Sequence, residues 1–142
     1  MITTSQSLAL PRLISSVLAA AVLAGMTALS PALAQEGNPE AGEDVFKKCR
    51  ACHQIGDTAK NAVGPILTGV IGRKSGTVEG FNYSEANKTA GEKGLVWTSE
   101  ELFKYLEDPR AYMPGNKMAF AGVKDEQDRR DLIAYLAKFS KK

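Results

Sequence analysis

Five consecutive residues, Cys49-Arg50-Ala51-Cys52-His53, gather the most reactive side chains of this 142-residue chain. The chain has two cysteines and one histidine, and all three fall in that stretch. Two thiols one helical turn apart can each add across one of the two vinyl groups of a haem, forming thioethers. The adjoining imidazole then falls beneath the iron and supplies an axial nitrogen. Covalent attachment keeps such a cofactor in a protein too small to bury it fully. Three other chemistries use the same spacing and fit less well. Structural zinc takes four ligands, and with both thiols and the sole imidazole used, the remainder would have to be carboxylate. A thioredoxin-like redox pair belongs beside a βαβ pattern, which is not visible here. A plain disulfide across so short a loop stabilises little.

An iron held by His53 has a second axial position to fill. After residue 34 the chain offers two methionines, Met113 and Met118, and no second histidine. A thioether is soft, favours Fe(II) over Fe(III) and so raises the reduction potential. Iron ligated on both sides has no open site, so the chain is expected to be an electron carrier and not an enzyme. Either methionine could equally be core filler, and spacing alone does not choose between them.

Local patterns predict the elements that position these groups. Asn38-Pro39-Glu40 reads as a helix start, with Asn as N-cap, Pro at the first helical position and an acid in the first turn. Ala41, Val45, Cys49 and Cys52 then recur at spacings of four, four and three, which puts both cysteines on the apolar face of one helix. A short helix capped by Ser84 is expected around Glu85 to Lys88. Thr98-Ser99-Glu100-Glu101 reads as a capping box, with Trp97 and Leu102 placed as a hydrophobic staple, for a helix ending at Asp108 before Pro109. Asp125 opens a last helix whose apolar face is Leu132, Ile133, Leu136 and Phe139. Between them, Gln54 to Val96 is rich in Gly and polar residues with no period-2 run for a substantial strand. A long loop-rich middle is unusual in a compact domain unless something else organises it; a large buried cofactor would.

Composition narrows the function further. Residues 1–34 hold one charge, Arg12, followed by an apolar run from Leu13 to Leu29 and then Pro31-Ala32-Leu33-Ala34. A weakly basic start, an apolar middle and small residues at Ala32 and Ala34 match a secretory signal peptide, residues 1–34, cleaved after Ala34. An uncleaved anchor is the alternative, although the run is at the short end for crossing a bilayer. Residues 35–142 carry 17 Lys and Arg against 16 Asp and Glu, a net 17 − 16 = +1. That gives no support for a nucleic-acid binder, and 108 residues suffice for one core and not two.

The chain resembles class I c-type cytochromes, specifically the bacterial cytochrome c2 and mitochondrial cytochrome c type, from Gly37 to Phe139. The likeness rests on Cys49-x-x-Cys52-His53, Val63-Gly64-Pro65, Gly72-Arg73-Lys74-Ser75-Gly76, Gly80-Phe81-Asn82-Tyr83-Ser84, Trp97, Tyr105-Leu106-Glu107-Asp108-Pro109, Tyr112-Met113-Pro114-Gly115-Asn116-Lys117-Met118 and Asp131-Leu132-Ile133-Ala134-Tyr135-Leu136. The resemblance implies an all-α fold over residues 35–142, three to four helices and long loops wrapped around one covalently bound haem c. It implies Cys49 and Cys52 as thioether sites and His53 and Met118 as axial ligands, with Met113 in the core. Pro65 is then the carbonyl acceptor for the His53 ring N–H. Tyr105 and Asn87 match residues that hydrogen-bond near the methionine and an internal water. Tyr83 and Trp97 match donors to a buried propionate, with Arg73 offsetting its charge. Gly42 and Phe46 match the crossing of first and last helices, against Leu132 and Tyr135. The family's turn before the ligand reads Pro-Gly-Thr-Lys; here Asn116 replaces the threonine, a departure expected to alter a hydrogen bond near the propionates.

For partners, the likeness implies a monomeric periplasmic carrier shuttling electrons between membrane complexes, from a bc1-type donor to an oxidase or, in a photosynthetic host, a reaction centre. No small-molecule substrate and no nucleic acid are expected. Lys48, Lys60, Lys117 and Lys124, with Arg110, fall at the family's docking positions, while Ala111 stands where a lysine is common. Two other readings share the motif. A dedicated haem subunit of a periplasmic dehydrogenase would co-purify in fixed stoichiometry, and a haem sensor or peroxidase would need Met118 to leave the iron.

Overall fold

The structure, a computed structural model, describes residues 37–140. The expected signal peptide, residues 1–34, lies outside them. Five helices and no strand occur among the described residues: α1 Pro39–Phe46, α2 Glu85–Glu92, α3 Ser99–Glu107, α4 Pro109–Tyr112 and α5 Glu126–Ala137. The all-α class is as expected, with one helix more than the upper number anticipated.

Helix α1 begins where the sequence predicts. The Asn38 side-chain oxygen accepts from the backbone N–H of Glu40 at 2.9 Å and of Ala41 at 3.2 Å, serving donors that have no partner within the helix. Its end differs from expectation. The helix stops at Phe46, and Lys47 and Lys48 bond back three residues to Asp44 and Val45. The N–H groups of Cys49 and Arg50 then share the Phe46 carbonyl, and those of Cys52 and His53 share that of Cys49. The tighter winding takes the cysteines off the α1 face. Gly42, Val45 and Phe46 form that face, packed on α5; a continued helix would have carried Cys49 onto the same stripe.

The α1–α5 crossing is close because residue 42 has no side chain. A Cβ there would lie 1.9 Å from the Asp131 carbonyl oxygen and 2.9 Å from Cβ of Tyr135. Phe46 and Tyr135 stack with ring centroids 5.2 Å apart, and Phe46 and Leu132 are each only 1% exposed. The apolar face of α5 comprises Leu132, Ile133 and Leu136 as expected, plus Tyr135, while Phe139 lies just past its end.

The remaining helices depend on caps. Ser84 caps α2, which runs a turn beyond the expected Lys88. Thr98 Oγ1 accepts from the Glu101 N–H at 3.1 Å, but the reciprocal half of the capping box is absent among the described residues. The Thr98 N–H goes to the Val96 carbonyl, and the Glu101 carboxylate accepts from Tyr112 and Lys104 instead. Asp108 ends α3 and caps α4, accepting from the Ala111 N–H at 3.1 Å.

The loop-rich middle is held by long-range backbone bonds. The Gly72 N–H reaches the Trp97 carbonyl and the Trp97 N–H reaches that of Arg73, each at 2.9 Å, beside an isolated bridge between Lys74 and Val96. Gly69 bonds to Phe139, and Ser75 to Leu95. These ties fold the middle segment over the faces that α3 and α5 leave uncovered.

Candidate functional site

A cavity of about 400 Å³ opens between these elements. Cys49, Cys52, His53, Pro65, Arg73, Tyr83, Asn87, Trp97, Tyr105 and Met118 all line it, so every cofactor or metal position anticipated from the sequence faces one space. Most of the remaining wall is apolar: Phe46, Leu67, Val70, Leu102, Phe120 and Leu136. Several of these are also core residues, so the hydrophobic centre of the protein and the wall of the cavity are one surface.

His53 is oriented by the chain on its other side. Its Nδ1 lies 2.7 Å from the Pro65 carbonyl oxygen. A carbonyl only accepts, so Nδ1 carries the proton and Nε2 keeps a free lone pair. The ring lies flush against backbone, where a Cβ on Gly64 would come within 2.4 Å of its Cε1. Burial lowers the imidazole pKa, opposed by the Pro65 hydrogen bond and assisted by the Arg73 charge, which together favour the neutral, ligating form.

Both cysteines are free thiols. Burial pushes the Cys49 thiol up to about 11, with Lys48 pulling the other way. It therefore rests as a neutral thiol at neutral pH. Among the described residues no three or more His, Cys, Asp or Glu side chains converge on a metal-sized site.

The two methionines separate. Met113 is 6% exposed and packs into the core, whereas Met118 lines the cavity. The Tyr105 hydroxyl donates to the Met118 sulfur at 3.7 Å, and burial pushes that phenol up to about 12, so it remains a donor. Tyr105 also packs on Trp97, with centroids 4.7 Å apart. Asn87 lies on the wall, its side-chain oxygen accepting from Ser84 Oγ at 2.8 Å, while the hydrogen bond found at the sulfur comes from Tyr105. Asn116 does not line the cavity; its side chain bonds the backbone of Pro109, Met113 and Met118.

The polar end of the cavity is cationic. The Arg73 guanidinium donates to the carbonyls of Ile66 at 2.9 Å and Thr68 at 3.2 Å and makes no salt bridge among the described residues. A half-buried cation with no carboxylate partner, near the Tyr83 phenol, suits an anionic group. The chemistry of the lining thus matches a haem: two thiols, an imidazole lone pair, a thioether, an apolar wall and a cation for a carboxylate edge.

The docking positions divide. Lys48 and Lys117 border the cavity, and Lys60 and Arg110 are exposed elsewhere. Lys48 is ion-paired with Asp128 at 3.4 Å and Lys124 with Asp108 at 3.3 Å, so part of the positive rim is neutralised internally. Lys117 Nζ reaches the carbonyls of Asn82 and Tyr83 at 3.3 Å, tying the Met118 segment to the Tyr83 loop.

Sequence reasoning missed the apolar wall supplied by Leu67, Phe81 and Phe120, lone residues in non-periodic loops. It also missed Arg129, which is 2% exposed. Its guanidinium bonds the Val123 and Lys124 carbonyls and lies over the Phe103 ring, 4.4 Å from the centroid.

Fold and site together define a small helical protein organised around one covalently held haem. A family model described as cytochrome c matches residues 39–140. The chain is 54% identical over 112 residues to cytochrome c2 of Blastochloris viridis, covering 79% of this chain and 84% of that protein. It is 55% identical over 102 residues to cytochrome c-550 of Ancylobacter novellus, covering 72% of this chain and 95% of that one. The solved structure of cytochrome c2 from Rhodospirillum centenum matches with a TM-score of 0.71 at 50% identity, over 74% of this chain and 100% of that chain. The chain belongs to the cytochrome c family. It is an electron-transport protein whose cofactor is haem c, one per chain and covalently bound.

Proposed function

We propose that the chain is a soluble, monomeric one-electron carrier of the periplasm. It takes electrons from a bc1-type complex and delivers them to a terminal oxidase or a photosynthetic reaction centre. The observation that carries this reading is the convergence of both thiols, the His53 imidazole and the Met118 thioether on one largely apolar cavity. In this reading residues 1–34 are a signal peptide removed after Ala34. No helix among the described residues is long and apolar enough to cross a membrane.

Bound haem supplies an iron that alternates between Fe(III) and Fe(II), moving one electron per cycle. Cys49 and Cys52 would hold it through thioethers, and His53 Nε2 and Met118 Sδ would ligate its iron. The Pro65 carbonyl fixes the imidazole tautomer and tilt, as partners behind a ligating histidine do. Tyr105 draws electron density from the sulfur, and the apolar wall disfavours the extra charge of the oxidised state; both favour the reduced form. Arg73 offsets a propionate. With the His53 and Met118 donors both committed to the iron, the chain would do no bond-making chemistry on a substrate. Lys48, Lys60, Arg110, Lys117 and Lys124 steer it to acidic partner surfaces.

The test is production in a host equipped for c-type maturation, followed by mass and absorbance of the secreted chain. The expected product begins at Gln35, carries one haem, shows low-spin His/Met features and accepts electrons from a bc1-type complex. A colourless product, or a reduced native protein that binds carbon monoxide at neutral pH, would contradict the reading.

A further inference from the structure

The segment joining α4 to Met118 has no helix or strand of its own, yet one side chain ties its backbone down. The Asn116 amide nitrogen donates to the carbonyls of Pro109 and Met113, each at 2.7 Å. Its oxygen accepts the backbone N–H of Met118 at 2.8 Å. All three partners are main-chain groups. One side chain therefore links the first residue of α4, the residue that ends it, and the residue bearing the thioether.

The chemistry of the amide suits this task. It has two N–H donors and an acceptor oxygen, and all are used. A hydroxyl here, as in the related turn, has a single donor; it could hold the Met118 N–H and at most one of the two carbonyls. Beyond Met118, no backbone–backbone bond is made by an N–H among the described residues until Val123, which reaches the Leu106 carbonyl at 2.7 Å. Asn116 is thus the side chain that holds the Met118 backbone N–H itself, next to the Lys117 ammonium that reaches the Asn82 and Tyr83 carbonyls. It does not line the cavity, so any influence on the haem passes through Met118.

We propose that Asn116 is a positioning residue for Met118. By fixing the backbone on the N-terminal side of that residue it keeps the thioether turned toward the cavity, and so sets how readily the sulfur yields its place to another ligand. The proposal rests on the reading of Met118 as an axial ligand.

The test uses the ferric holoprotein and three variants: Asn116→Leu, which removes all three bonds; Asn116→Thr, which keeps part of them; and Asn38→Ala, which weakens a helix cap away from the cavity. Added imidazole is titrated against each, alongside the sulfur-to-iron charge-transfer band and the unfolding midpoint. Imidazole affinity is expected to rise about tenfold or more in Asn116→Leu, the scale of one or two lost hydrogen bonds. Asn116→Thr is expected to fall between that variant and the wild type, and Asn38→Ala to match the wild type despite its lower midpoint. Equal affinities throughout, or an equal rise in Asn38→Ala, overturn the proposal. If Asn116→Leu does not fold, the comparison of Asn116→Thr with Asn38→Ala decides by the same criterion. A wild-type protein without the charge-transfer band, unaltered by Met118→Leu, overturns the ligand assignment instead, and the role of Asn116 with it.

Discussion

The Tyr105 hydroxyl donates to the Met118 sulfur across 3.7 Å, inside a cavity where burial keeps the phenol protonated. A donor aimed at a thioether withdraws electron density from it and so weakens its support of Fe(III). Tyr105→Phe removes that effect and keeps the ring packed on Trp97. One neutral hydrogen bond is worth about 0.5–1.5 kcal/mol, and 59 mV corresponds to about 1.4 kcal/mol for one electron. The reduction potential of Tyr105→Phe is therefore expected to fall by a few tens of millivolts. A redox titration returning the wild-type value would show that the phenol does not act on the sulfur.

Where α1 crosses α5, there is no room for a methyl group at residue 42. The Asp131 carbonyl oxygen would stand 1.9 Å from it, and that carbonyl belongs to a helix backbone that cannot turn aside. Gly42→Ala must push the helices apart, and overpacking of this kind costs about 1–3 kcal/mol. For a domain of this size the expected fall in Tm is about 5–20 °C. Calorimetry of the holoprotein measures it directly, and an unchanged Tm would mean that the crossing gives way freely.

Tyr112 and Glu101 are coupled through a hydrogen bond from phenol to carboxylate. Burial first, and this bond second, push Tyr112 up to about 12 from an ordinary 10.0. A phenol whose pKa is raised on folding stabilises fully below its unfolded value and loses that contribution as pH climbs through the folded one. The advantage of wild type over Tyr112→Phe is therefore expected to be constant from neutral pH to about 10, and to vanish by about 12. The bond also holds the Glu101 carboxyl below the usual carboxylate range, so part of the same advantage is lost as acid protonates Glu101. Denaturant unfolding of both proteins across pH tests this, and parallel curves at alkaline pH would refute it.

The Lys48–Asp128 and Lys124–Asp108 pairs dilute the cationic rim. Exposed pairs like these add little stability, but they cancel charge that would otherwise act on a partner. Asp128→Asn is expected to raise the second-order rate of reduction by a bc1-type complex severalfold at low salt, and Lys60→Glu to lower it. Both differences should shrink as the ionic strength rises and the Debye length falls below about 10 Å. Rates indifferent to salt in all three proteins would remove these residues from the docking surface.

Short-range chemistry was legible in advance, and long-range geometry was not. The caps at Asn38, Ser84, Thr98 and Asp125 each depend on a side chain and a backbone two or three residues away, so type and spacing suffice to find them. The stop of α1 at Phe46 has no such local signal, because it follows from where the two thiols must face once α1 is laid on α5. The half-made capping box at Thr98 has a similar cause: Tyr112, eleven residues on, takes the Glu101 carboxylate. In the site, the five-residue motif exposes its chemistry in one line of sequence. The choice of Met118 over Met113 needed either a family likeness or the fold, since both are methionines in one loop. Arg129 reads as an ordinary solvated charge, and only the approach of Phe103 and the Val123 carbonyl makes it an interior group.

Phe46, Trp97, Leu102, Tyr105, Leu132 and Leu136 line the cavity and at the same time belong to the core. These side chains therefore serve two partners at once, because a haem in the cavity would pack against the same surface that joins the helices. A chain without the group would keep the α1–α5 crossing but lack the filling behind these side chains, and is expected to unfold at a lower temperature than the holoprotein.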